Sequence, residues 1–176
     1  MANSTLPIDV SVSPALWGGK LNRKEAVVSC FSSSAYENAT ESSHAIDLTQ
    51  AHLIEVLSCL GRETLDFYFL RVRRMVEEFQ LAGALEAMEL ARQEGHIRHL
   101  GIACDGPSLS TLGVWQFNDA FEAIYIPDAE AGTTLRGLAR ERRVGVVWGP
   151  RQDEVPEGDA RLVRVASAAD VEAIGR

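Results

Sequence analysis

The sequence predicts an α/β protein built around a parallel sheet, and two observations lead there. Short β-branched or aromatic runs alternate with amphipathic helical segments as far as Gly149, the pattern of βα units. The 176 residues are 46% apolar, 24% charged and 7% aromatic, the composition of an ordinary globular chain long enough for one core, so a single domain over residues 1–176 is expected.

Residues 26–31 (AVVSCF) read as a strand, and the serine-rich stretch after them as a polar loop. A helix is predicted to begin near Asp47, where Asp47 and Gln50 stand at capping-box spacing. Its Leu53, Val56, Leu57 and Leu60 make one apolar stripe, and Gly61 supplies the left-handed stop. Residues 64–70 form the next strand. Leu81, Ala84, Leu85, Met88 and Ala91 mark a second helix, ended by Gly95.

The strand HIRHLGIAC (96–104) follows, with Gly101 read as a point of close packing. A weaker helix around 107–117, the strand FEAIYI (121–126), a helix over 132–143 and the strand VGVVWG (144–149) complete the alternation. The run PRQDEVPEGDA (150–160), rich in proline and acid, reads as an exposed loop. RLVRVAS is a last strand, and a short helix capped by Ser167 closes the chain.

A formal charge of −8 argues against nucleic acid, and the cluster Arg71, Arg73 and Arg74 is too short to reverse that. No stretch reaches the roughly 20 apolar residues of a membrane span, and the N-terminus lacks a signal-peptide pattern, so a cytoplasmic location is expected. Cys30, Cys59 and Cys104 are an odd number without C-x-x-C spacing and are expected as free thiols. The four histidines are scattered, and no metal site is expected.

Residues 57–71, LSCLGRETLDFYFLR, resemble the aldo/keto reductase segment in which a helix ending S-L-x-x-L-G leads into the strand D-Y-I-D-L-Y-L-L-H. LEAMELARQEGHIRHLGIACD is similar to that family's next unit, L-E-A-L-E-x-L-x-x-E-G-K-I-R-Y-I-G-V-S-N. FEAIYIPD, LARERRVGVVWGP and RLVRVASAADVEAI resemble later segments in the same order, and IDVSVSP the second-strand motif D-T-A-x-x-Y. The resemblance spans residues 8–174 and is strongest between 57 and 105.

That resemblance implies a (β/α)₈ barrel, which typically takes about 250 residues. With 176 residues, with the first strand and helix missing from the matched order and the helix before the last strand replaced by the PRQDEVPEGDA loop, a shortened or incomplete TIM-type barrel of about seven parallel strands is expected. An open sheet has two unpaired edges, so a homodimer is expected as one way to cover them.

The family's reductases protonate a carbonyl with a tyrosine whose pKa is tuned by a lysine and an aspartate, while a histidine orients the substrate. Carried over by position, these four fall on Pro14, Phe31, Asp9 and Arg71 respectively. Only Asp9 keeps its type. The S-N pair that holds nicotinamide becomes Ala103 and Cys104, and the neighbouring glutamine becomes Tyr125. Ala166 and Ser167 remain from the segment near the adenosine phosphate. No bound cofactor is expected, NADPH being the exception to be tested.

Strand carboxyl ends build the sites of such barrels, so Asp9, Cys30, Ser32, Arg71, Cys104, Asp105, Tyr125, Asp128 and Trp148 are candidates to surround one mouth. Arg71, Asp9, Asp105 and Cys104 are the candidates for chemistry. Ser32, Tyr125, Asp128 and Trp148 are the candidates for ligand contact. Arg71 ends an apolar strand, where a guanidinium calls for a carboxylate partner or an anionic ligand; the plainer reading leaves it solvated beside Arg73 and Arg74. Cys104 reads either as a nucleophile or as a small buried strand residue. The expected function is a non-reductase, pseudoenzyme barrel that binds a small anionic ligand or a protein partner. The alternative is a lyase, isomerase or cyclase acting on an anionic metabolite, and a working NADPH-dependent oxidoreductase comes third.

Overall fold

A computed structural model describes residues 8–21, 26–150 and 154–162. The elements in order are β1 (Ile8–Asp9), α1 (Pro14–Trp17), β2 (Val28–Phe31), a 3₁₀ turn (Ser34–Asn38), α2 (Ser42–Leu60), β3 (Leu65–Val72), α3 (Glu78–Gln93), β4 (Ile97–Cys104), α4 (Ser108–Trp115), β5 (Ala123–Ile126), α5 (Ala129–Arg142), β6 (Gly145–Trp148) and β7 (Ala160–Arg161). The seven strands are all parallel and follow sequence order across one sheet. This is an incomplete (β/α)₈ barrel.

Helices α2 to α5 cover one side of the sheet. Leu53, Val56, Leu57 and Leu60 are buried as the stripe requires, and they join Tyr68, Leu70, Leu100, Ile102, Ile124 and Ile126 in the main core. Gly61 ends α2 at φ 62°, where only glycine adopts the conformation at no steric cost, and the Gly61 and Arg62 amides donate back to Ser58 and Leu57.

Two helices begin earlier than the sequence pattern predicts. Helix α2 starts at Ser42, five residues before Asp47, because α3 packs against its first turn: Gly83 approaches Ser42 and Ala45 so closely that a side chain there would clash. That contact outweighs the Asp47 capping signal, and Asp47 lies inside the helix. Helix α5 starts at Ala129, three residues before 132, because Asp128 accepts a hydrogen bond from the Ala131 amide at 3.0 Å.

The polar loop after β2 is also more ordered than its composition suggests. Tyr36 and Glu37 of the 3₁₀ turn are buried, and Gln80 of α3 donates to the carbonyls of Glu37 and Ala39 at 3.0 and 2.9 Å. Between β6 and β7 the described residues form a turn, with Gly158 at φ 87° and no helix. Asp66 ties the amino ends of three strands together by accepting from Val28 N at 2.8 Å and Arg98 Nη1 at 2.8 Å. No described helix is long and apolar enough to cross a membrane.

Candidate functional site

The side of the sheet away from the helices is the inside of the barrel, and strand register sets which residues share it. Arg71, Ala103, Tyr125 and Val147 stand in one row near the carboxyl ends, and Phe31, Phe69, Gly101 and Ala123 in the row below. Phe69, Ala103 and Ala123 form a small buried cluster, with Phe31, Phe67, Tyr125 and Val147 packed on it. Gly101 is the close packing point the sequence indicated: a Cβ there would run into the Phe69 ring. Phe31 meets Phe69 edge-on at 5.3 Å and Tyr125 at 4.9 Å, so the ring standing in the family's lysine position builds an aromatic floor.

Arg71 lies above this floor, its guanidinium carbon 5.7 Å from the Phe31 ring centroid. Its main chain is fixed on both sides, the amide donating to Ser32 Oγ at 3.0 Å and the carbonyl accepting from Tyr36 Oη at 2.8 Å. The side chain is 28% exposed, yet Nε is buried and makes no hydrogen bond; Asp105 Oδ2 stands 3.7 Å away. Such a donor is costly to leave unmatched.

Asp9 shares this end of the barrel. Burial lifts its carboxyl above the usual aspartate range, while hydrogen bonds from the Ser11 hydroxyl and amide, and the charge of Arg71, pull it part of the way back. Ser11 Oγ in turn accepts from Phe31 N at 2.6 Å, fastening β2 to the segment after β1.

Beside Arg71 is an open polar depression of about 370 Å³, lined by Ser34, Glu37, Asn38, Arg73, Arg74 and Asp105. Glu37 organises it: one carboxylate oxygen accepts from Arg73 N at 2.9 Å, and the other stands 3.6 Å from Arg74 Nε. The sequence reading missed Glu37. The one signal for it was an acidic residue beside an aromatic one in an otherwise serine-rich loop.

The remaining candidates lie elsewhere. Cys104 and Trp148 are buried on the helix side of the sheet, as is Cys30, so these three do not line the mouth. The Cys104 thiol donates to the Gly106 carbonyl at 3.4 Å and burial pushes it up; burial pushes Cys30 up to about 12. Both are the reverse of an activated nucleophile. Trp148 packs on Gly132 and donates to Asp159 Oδ2 at 2.9 Å. Asp128 is engaged as the cap of α5, and Ser32 is buried beneath Arg71. Ala166 and Ser167 lie outside the described residues. Among the described residues no group of three His, Cys, Asp or Glu is placed to hold a metal ion.

No protein-family model and no curated protein matches the chain. Solved structures do. An aldo-keto reductase from Bacillus halodurans superposes with a TM-score of 0.64 at 18% identity, over 87% of this chain and 55% of that one. One from Klebsiella pneumoniae, in complex with NADPH, gives 0.65 at 15% identity, over 81% and 51%. One from Brucella melitensis gives 0.63 at 10% identity, over 86% and 67%. The chain thus spans about half the length of the first two. Its described residues have the fold of the aldo-keto reductases, present as an incomplete barrel of seven parallel strands.

Proposed function

We propose that this chain is a non-reductase barrel whose mouth binds a small anion, with Arg71 as the clamp. One observation carries the reading: a guanidinium at the end of β3 has a buried, unmatched Nε over an aromatic floor, with its carboxylate neighbour 3.7 Å away. An anion placed there gains a charge-assisted hydrogen bond that Asp105 does not make. Phe31 and Arg71, standing for the family's lysine and histidine, offer no route for tuning a proton donor.

The fold implies a nicotinamide cofactor, since neighbours have been solved with NADPH and with NADP. The positions matched to the nicotinamide contacts do not suit it among the described residues. Ala103 is fully buried and has no polar side chain, Cys104 faces the helices, and Tyr125 is packed against Phe31.

A second reading, in which the mouth catalyses a lyase, isomerase or cyclase reaction on an anionic metabolite, draws on the raised carboxyl of Asp9 as an acid or base near Arg71. The proposal includes a cytoplasmic location, and it extends to a homodimer because β1 and β7 each pair on one side only among the described residues.

The test combines NADPH titration, followed by fluorescence and thermal shift, with anion titrations of the wild type and Arg71→Ala. The expected result is no shift with NADPH and an anion-dependent rise in Tm that is lost in the variant. Tight NADPH binding would overturn the proposal in favour of a reductase. Anion stabilisation that survives in Arg71→Ala would remove the clamp.

A further inference from the structure

We propose that Asp105 occupies the place of a ligand's anionic group, and that the depression beside Arg71 takes a small phosphate monoester, whose dianion displaces it. This rests on the reading of Arg71 as an anion clamp and names the ligand class. Asp105 Oδ2 is approached by two guanidiniums from the same strand end, Arg71 Nε at 3.7 Å and Arg73 Nε at 4.0 Å. Both are ion pairs beyond hydrogen-bond length. Two forked donors thus converge on one loosely held oxygen, while Arg71 Nε stays unmatched and the carboxylate itself is half exposed.

The surroundings are built to keep those donors in place. Glu37 holds the Arg73 main chain, and Arg74 donates to the Glu37 carbonyl and to Asn38 Oδ1. Arg73 Nη1 reaches Ser34 Oγ at 3.3 Å, a long contact that leaves the guanidinium available. Arg73 and Arg74 line the depression with Glu37 and Asp105, and Arg71 approaches Asp105 from beside it, so guanidiniums gather at this one place in a chain whose formal charge is −8.

The choice of a dianion follows from competition. Asp105 is tethered, which gives it a high effective concentration at the arginines, and a free carboxylate would only replace like with like. A phosphoryl group brings a second charge and three terminal oxygens, enough to accept from Arg71 and Arg73 together at about 2.8 Å. The 370 Å³ depression has room for a small molecule carrying that group.

The test is calorimetric titration and thermal shift with inorganic phosphate and with glycerol 3-phosphate at constant ionic strength, with acetate as the control. Phosphate is expected to stabilise the wild type where acetate does not. Asp105→Ala should bind phosphate about fivefold more tightly, the scale of one exposed charge interaction, and Arg73→Gln should weaken it by about as much. Unchanged or weaker phosphate binding by a natively folded Asp105→Ala, or acetate acting as well as phosphate, would overturn the displacement. If Arg71→Ala then still abolishes the anion effect of the wild type, the clamp stands and the displacement alone falls. No response of either protein to any of these anions removes both. Cosedimentation with phosphatidic acid vesicles in place of soluble binding would overturn the assignment to a small ligand.

Discussion

The two faces of the sheet differ in what their residues are for. Toward the helices, Tyr68, Leu70, Leu100, Ile102, Ile124 and Ile126 are all fully buried in one continuous core. Toward the barrel interior, the buried cluster shrinks to Phe69, Ala103 and Ala123, and Phe31, Phe67, Tyr125 and Arg71 stay partly open. The outer face holds the fold, its residues being mostly apolar and fully buried. The inner face is where an unmatched donor, a raised carboxyl and an accessible aromatic floor coexist, so changes on the two faces should separate stability from binding.

The largest effect is expected on the outer face. Leu70→Ala removes a fully buried side chain in β3, an interior strand of the sheet, and should cost about 3 kcal/mol in denaturant unfolding. A loss below about 1 kcal/mol would mean that this face is not the tightly packed layer described. The inner face answers to a different change, Gly101→Ala, because the added methyl meets the Phe69 ring. Overpacking there should cost about 2 kcal/mol and displace the floor under Arg71, weakening anion binding in a way that Leu70→Ala does not.

This contrast explains which features were legible in the sequence. Sheet-facing positions on the helices announce themselves by period, as Leu53 to Leu60 did, and the βα order followed from the same pattern. Cys104 and Trp148 were misplaced for a physical reason. A strand turns successive side chains to opposite faces, and an almost wholly apolar strand hides which parity is inward. Register resolves it: Arg71 pairs with Ala103 on the inner face, so Cys104 beside it must look outward. Glu37 and the start of α2 were hidden because both depend on contacts from α3, through Gln80 and Gly83, that no local pattern encodes. The incomplete barrel and the position of Arg71 came from the family resemblance, since composition and period alone give only a parallel α/β sheet.

A smaller effect tests how far the outer layer extends. Asp159, in the turn before β7, accepts from Trp148 Nε1 at 2.9 Å and Arg136 Nε at 3.1 Å, pinning that turn to β6 and α5. Asp159→Ala leaves two donors without their acceptor in a largely buried setting and should cost about 1.5 kcal/mol. Faster proteolysis within 154–162 should accompany it, with anion binding at Arg71 unchanged. If binding falls as well, the turn and the mouth are one unit and the separation of faces fails at this end.

The smallest effect is also the one that most directly tests the inner face. Because burial raises the Asp9 carboxyl in the folded chain above its ordinary value of 3.8, the native state holds that proton to higher pH than the unfolded state does. Between the two values folding takes up protons, so this residue's contribution to stability falls as pH rises through that window, and above it the buried charge is a constant cost. Asp9→Asn keeps an oxygen to accept from Ser11 and removes the charge. The variant should therefore be slightly more stable than wild type at neutral pH, with the gain disappearing as pH falls below the unfolded value. The opposite outcome, a variant less stable at neutral pH, would mean that attraction to Arg71 outweighs burial at Asp9. The guanidinium would then already be matched from that side, and its readiness for an external anion would be lost.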